Sequence, residues 1–216
     1  MAYDLDEQEQ IASLKAWWKQ YGNFVTWALI IALSLYSAWS GWKYYQRNQA
    51  AQASQLYDEL QKGVAAKDNA RVQRVAKDME DKFSGTAYAQ MAALLAARTA
   101  ADANDADAAK AQLQWVIDNG KDDAYKAIAR IRLAGIFLDE KDYDAGMKLL
   151  ASGFPEQFVG MAEDRKGDIL IAQDKVDEAR SAYQKAMDKT DQKDSGRQLI
   201  QLKLDAIGGP VKAVAG

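Results

Sequence analysis

The chain contains no cysteine and no histidine. Their absence removes Ser-His-Asp triads, thiol nucleophiles, thiolate zinc sites and histidine-metal clusters in one step. Only carboxylate and lysine chemistry remains, and the Asp and Glu residues are scattered at the spacing of solvated helix faces. No enzyme activity, cofactor or metal site is expected. The missing thiols fit an oxidising compartment without proving one. Proline is scarce as well: the two residues, Pro155 and Pro210, both fall late in the chain. An excess of charge is also lacking, with 28 Lys and Arg against 31 Asp and Glu. Setting aside the charges of the N-terminal tail leaves a nearly neutral domain with no basic stripe, so nucleic-acid binding is not expected.

One long stretch lacks charge altogether. Residues 22–42, GNFVTWALIIALSLYSAWSGW, are bounded by Lys19 and Lys43. About 20 mostly apolar residues suffice for an α-helix to cross roughly 30 Å of hydrocarbon, which predicts a single transmembrane helix in contact with lipid. Trp17, Trp18 and Tyr21 precede it and Trp39, Trp42, Tyr44 and Tyr45 close it, placing amphipathic rings at both headgroup levels. Ala38-Trp39-Ser40 loosely fits a cleavage site. The acidic start (Asp4, Asp6, Glu7, Glu9) and the length of the apolar run argue against a cleaved signal. Flanking charges tie, with Lys15 and Lys19 on one side and Lys43 and Arg47 on the other, so charge alone leaves topology open.

Within this helix Ser34, Ser37, Ala38 and Gly41 stand at i, i+3, i+4 and i+7. They form a small-residue face that would let a second membrane helix come close. Ahead of it, Leu5, Ile11, Leu14 and Trp18 are roughly helically spaced, with acids early and lysines late, which predicts a short interfacial helix.

Beyond the membrane segment roughly 170 residues remain, enough for one domain with a real core. Abundant Ala, Gln, Lys, Glu, Leu and Arg make it all-α. Its C-terminal part carries Gly167, Leu170, Ala179, Tyr183 and Ala186 at the offsets of a tetratricopeptide repeat, in which small residues admit a close helix contact and an aromatic fills the space between helices. Upstream, Ala134, Phe137, Tyr143, Gly146 and Leu150 repeat the pattern. Ala97, Ala100, Ala106, Ala109, Leu113 and Val116 do so again, and Leu60, Gly63, Val72, Ala76 and Met79 form the weakest copy. Steps of about 34 residues predict four stacked helical hairpins. Gly85, Gly120 and Gly153-Phe154-Pro155 read as stops. Thr86 and Asp122 read as N-caps, and Ser195 to Gln198 as a capping box for a last helix through Leu199, Leu202 and Leu204 that covers the open end.

The expected organisation is therefore a tail at 1–21, a transmembrane helix at 22–42, a juxtamembrane linker at 43–51, a helical-hairpin domain at 52–207 and a flexible tail at 208–216. In the third hairpin Ile128, Ile131 and Leu138 fall opposite Leu133 and Phe137. Two apolar faces need two covers. One packs in the stack. The other, with Met91, Leu94 and Met161, would line a concave groove suited to a partner helix or an unfolded chain, unless a neighbouring helix fills that wall.

The start MAYDLDEQEQIASLKAWWKQYGN, the single membrane helix, the WKYYQ exit and the four hairpins together resemble the YfgM family of ancillary translocon subunits in the bacterial inner membrane. The resemblance runs over the whole chain. It implies a cytosolic N-terminus and a periplasmic tetratricopeptide-like domain. It also implies partnership with the SecYEG translocon and with a membrane-anchored chaperone of the peptidyl-prolyl isomerase type. The expected role is a membrane-anchored scaffold that holds such a chaperone beside the secretion channel and assists emerging secreted proteins; the alternative is a holdase that binds unfolded secretory clients in the groove.

Overall fold

The computed structural model describes residues 2–151 and 153–209, which form nine helices and no strand among the described residues. The chain divides into two compact units, Met1–Ala51 and Gln52–Gly216. Each is taken by itself.

The first unit consists of helix α1 (Ala2–Ala65), which also supplies the first residues of the second. Glu7–Ala65 contains a window apolar enough to cross a membrane, and none of that window is buried. Its large side chains, Phe24, Trp27, Leu33, Leu35 and Tyr36 among them, are all exposed, a surface that requires an apolar surrounding such as lipid. Helix α1 has no break between tail and apolar segment, so the separate interfacial helix expected from the sequence is replaced by one continuous element. At the junction Gly22 lies under the Trp18 indole, 3.0 Å from where a Cβ would stand, and the Thr26 hydroxyl donates to the Gly22 carbonyl at 2.8 Å. Residues 43–51, expected as a linker, are helical. Lys43 folds back over the Trp39 ring at 4.0 Å, an amphipathic pairing suited to a headgroup boundary.

The second unit is built from hairpins. The end of α1 (from residue 52) packs Ala53 and Leu60 on α2 (Asn69–Phe83); α3 (Ala87–Asp102) pairs with α4 (Ala106–Asn119), α5 (Asp123–Asp139) with α6 (Tyr143–Leu150), and α7 (Glu156–Ala172) with α8 (Val176–Lys189), and α9 (Gly196–Ala206) packs on α8. Four core clusters follow one another along the stack, and each draws on two successive hairpins or on the last hairpin and α9. The weakest sequence copy is nonetheless fully packed: Leu60, Val72, Ala76 and Met79 are all buried in the first cluster.

The four hairpin turns share one conformation. Lys67, Asn104, Lys141 and Asp174 take φ of 54°, 59°, 62° and 60°. Each ends its helix with a paired set of bonds in which the following N–H reaches back around the turn: Asp68 to Gly63, Asp105 to Ala100, Asp142 to Phe137 and Lys175 to Leu170, at 2.8 to 3.0 Å. In the first three, that next residue is an aspartate whose carboxylate then caps the second helix, accepting from Arg71, Ala108 and Ala145 N–H. Lys175 holds the same place in the fourth turn and makes no side-chain cap. Left-handed backbone is thus supplied without glycine at all four turns, whereas Gly120 has φ of −59°. That glycine serves space: a Cβ would strike the Val116 carbonyl and come 3.1 Å from Gln90 Oε1, which accepts from Lys121 and Asp122 N–H at 3.1 and 3.3 Å.

Thr86 and Asp122 cap their helices as read from the sequence. The capping box does not form. Ser195 makes no side-chain cap, and Asp194 accepts from Gly196 N–H at 2.8 Å instead. Helix α9 buries Ile200 and Leu204 and leaves Leu199 and Leu202 exposed, so only part of the expected apolar stripe faces the stack. Polar ties complete its seat. Arg180 of α8 donates to the Ile207 carbonyl at 2.7 Å, while Arg197 of α9 donates to the Met187 and Thr190 carbonyls at the end of α8. Lys203 reaches Asp164 and Asp168 at 2.8 and 2.7 Å. Gly208 (φ 96°) and Gly209 close α9 through bonds to Asp205 and Leu204. The remainder of the tail, residues 210–216, lies outside the described residues.

In the fourth hairpin Leu170, Ala179, Tyr183 and Ala186 join one core cluster, and Gly167 lies against the face of the Tyr183 ring. The Tyr183 hydroxyl donates to Asp168 Oδ1 at 2.8 Å. A different polar feature is less well served: Glu80 is 6% exposed, its Oε1 has no partner, and its Oε2 is 3.7 Å from Lys77 Nζ. Burial raises its carboxyl above the usual range, and the Lys77 charge offsets part of this.

Three stability changes follow from this packing. Gly167→Ala places a methyl inside the Tyr183 ring and should cost about 1 to 3 kcal/mol; Lys175→Asp restores the missing cap and should add about 1 kcal/mol. Both are read from denaturant melts of the full chain in detergent. Because the folded state holds the Glu80 proton more tightly than the unfolded chain does, stability from this group falls as pH rises from the ordinary glutamate range through the raised value. Glu80→Gln should raise the neutral-pH melting temperature and flatten that slope; an unchanged profile would place the ionised carboxylate in a satisfied environment.

Candidate functional site

The sequence expected an open apolar wall along the first helices of successive hairpins. Of its six residues, Leu94 and Ile131 are 7% and 5% exposed, Met91, Ile128 and Leu138 are half-buried, and only Met161 is exposed. Leu94 joins the cluster between α3, α4 and α5, where Ile128 also packs on the same side as Leu133. Ile131 and Leu138 belong with Ala134, Leu150, Ala162 and Ile169 in the next cluster. Both apolar faces of α5 are therefore covered, one by the second hairpin and the other by α6 and α7, because α7 packs directly on α5. A continuous apolar groove through Leu94 and Ile131 is thereby corrected: these are core positions, and a repeat that cannot bury its own faces uses its neighbours to do so.

What lies between the first helices is a cavity of mixed polar and apolar lining. Its volume is about 400 Å³, and it is lined by Ala97, Arg98 and Ala101 of α3, Leu113 of α4, Arg132, Gly135, Ile136 and Asp139 of α5, and Arg165 of α7. The Arg165 guanidinium lies across α5, its Cζ 3.4 Å from where a Gly135 Cβ would stand. It donates to Asp168 Oδ2 at 3.3 Å, and its buried Nε has no partner. Arg132 makes one long bond to the Leu94 carbonyl at 3.5 Å. Although Arg132 is exposed overall, partial burial first, and then the neighbouring Arg98 charge, lowers its guanidinium from the ordinary arginine range. Arg98 stands 3.9 Å from Asp102, beyond hydrogen-bond reach. The absence of a basic stripe inferred from net charge does not extend to this local grouping. Its signal was present in the sequence, since three arginines recur at about one repeat length.

On α1, Ser34, Ser37, Ala38 and Gly41 are all exposed, and a Cβ at Gly41 would meet nothing within 4 Å. Among the described residues, no group of three or more acidic side chains is placed to hold a metal ion.

A family profile described as a tetratricopeptide repeat-like domain matches residues 15–209. An ancillary SecYEG translocon subunit of Neisseria gonorrhoeae is 32% identical over 96% of this chain and all of its own length. Proteins of the same name from Haemophilus influenzae and Escherichia coli are 28% and 25% identical over 96% and 94% of the chain, and over 100% and 97% of their own lengths. The chain belongs to the family of ancillary SecYEG translocon subunits. Family membership agrees with the resemblance carried by the N-terminal run, and the apolar part of α1 fits the anchor of a membrane protein. In this translocon-subunit family member the tetratricopeptide-like unit is thus a stack with filled helix interfaces and an arginine-lined inner cavity.

Leu94→Asp with Ile131→Asp should abolish the cooperative unfolding transition, since each buried unpaired carboxylate costs several kcal/mol. Met161→Asp should stay within about 0.5 kcal/mol of the parent, as exposed substitutions do. Circular dichroism melts of the full chain separate the two, and a cooperative double variant would return Leu94 and Ile131 to an open surface.

Proposed function

We propose that this protein is a membrane-anchored scaffold of the SecYEG channel, with its N-terminus in the cytosol and its helical stack in the periplasm. The stack holds a membrane-anchored chaperone of the peptidyl-prolyl isomerase type beside emerging secreted chains. The observation that carries this reading is the near full-length similarity to proteins named ancillary SecYEG translocon subunits. An unburied apolar helix on one unit and a stack of hairpins on the other supply its two physical requirements, an anchor and a protein-binding surface. In lipid, association follows close packing, so the face of Ser34, Ser37, Ala38 and Gly41 is assigned to a channel helix. The burial of Leu94 and Ile131 supports the scaffold over the holdase alternative, because it closes the apolar wall through those two residues on which that alternative rests.

Protease added to spheroplasts should remove the unit from Gln52 onward; protection until the membrane is opened would reverse the topology. Ser37→Leu with Gly41→Leu should reduce co-purification of the channel severalfold without changing the melting curve. Undiminished recovery would remove this face from the interface.

A further inference from the structure

We propose that the cavity between α3, α5 and α7 is a binding site for the carboxylate of an acidic polypeptide segment, seated between Arg98, Arg132 and Arg165. This rests on the scaffold reading in one respect only, that the partner is a polypeptide.

Three guanidiniums on three successive first helices converge on one cavity of about 400 Å³. A guanidinium carries five N–H donors in a planar fork, and very few of these are used. Arg132 makes one bond at 3.5 Å, Arg165 makes one at 3.3 Å with its Nε buried and unpartnered, and Arg98 makes only a 3.9 Å ion pair to Asp102. Arg98 and Arg132 repel each other, a cost that an anion between them would relieve. Asp139 lies on the lining, and Asp168 and Asp102 each face one guanidinium at 3.3 and 3.9 Å, so what an incoming carboxylate finds is unused N–H donors on all three arginines.

The floor argues for a peptide over a free anion. Ala97, Ala101 and Gly135 carry little or no side chain, and the half-buried Ile136 makes part of it apolar. A small inorganic ion would leave that part unused. An acidic residue flanked by aliphatic ones would place its carboxylate among the guanidiniums and its neighbours on the apolar floor. Bidentate pairing of arginine with a planar carboxylate supplies the directionality.

The test uses the full chain in lipid nanodiscs and a short fluorescein-labelled peptide alternating glutamate with leucine and alanine, acetylated and amidated. Its glutamine counterpart, the same glutamine peptide with a free C-terminal carboxylate, and inorganic phosphate as competitor complete the set. The glutamate peptide should bind at least tenfold more tightly than the capped glutamine peptide, and more weakly as salt rises. Arg98→Gln with Arg132→Gln should lose at least tenfold with an unchanged melt; Arg98→Gln alone, at a largely exposed side chain, guards against a folding defect and should lose severalfold. Preference for the free-terminus peptide would identify a chain end as the carboxylate source; preference for the glutamate peptide would identify a side chain. Equal binding of the glutamate and capped glutamine peptides, binding unchanged by Arg98→Gln, or displacement by phosphate at concentrations similar to the peptide's would each overturn the site. Channel co-purification measured on the same variants keeps the two readings separate: its persistence alongside failed peptide binding removes the site and leaves the scaffold standing.

Discussion

No hairpin in this protein can bury its own apolar surface. Helix α5 shows why: it has two apolar faces, and one hairpin partner covers only part of one of them. Leu133 is buried against the second hairpin and Ile131 against α7, so the third hairpin is held on both sides by others. Stacking is then obligatory, and the small residues follow from it. Ala93, Ala129, Ala134 and Ala162 are buried where helices of adjacent hairpins meet, and Gly146 lies 2.9 Å, measured from a Cβ position, from the Ile169 side chain. The open end demands a cover, which α9 provides with Ile200 and Leu204. Arg180, Arg197 and Lys203 fix its position with bonds that the apolar contact alone would not direct.

The same constraint explains which parts of the molecule were legible from the sequence. Helix-period patterns and small-aromatic offsets are local, so the four hairpins and the fourth repeat's Gly167, Leu170, Ala179, Tyr183 and Ala186 could be placed by spacing. Whether an apolar face is open or covered is a matter of how neighbouring repeats dock, and spacing along one helix does not contain it. Leu94 and Ile131 were therefore expected on a wall and are found in the core. The turns within the hairpins are harder to read because no glycine marks them: their left-handed positions are held by Lys67, Asn104, Lys141 and Asp174. The signal was available in the aspartate that follows three of them and caps the next helix. The arginine cavity escaped because net charge averages over the whole domain, while Arg98, Arg132 and Arg165 act as a local group.

Function divides along the same line as structure. The exposed apolar surface of α1 suits a lipid surrounding, and in the stack the apolar faces of α5 are covered by neighbouring hairpins. On its inner side it carries a repeat-spaced group of three guanidiniums with few hydrogen bonds. Under the proposed scaffold role such a surface would favour a polar partner over the abundant apolar sequence of emerging chains, which a greasy groove would hold indiscriminately.

Site-specific photocrosslinking in native membranes tests the central claim most directly, with a crosslinkable residue placed at Leu33, beside the small-residue face of α1, in one sample and at the exposed Ala101 on the cavity lining in another. The predicted result is a discrete adduct with a channel subunit from Leu33 and a discrete adduct with a polypeptide outside the channel from Ala101. A smear of many products from Ala101, or no channel adduct from Leu33, would contradict it.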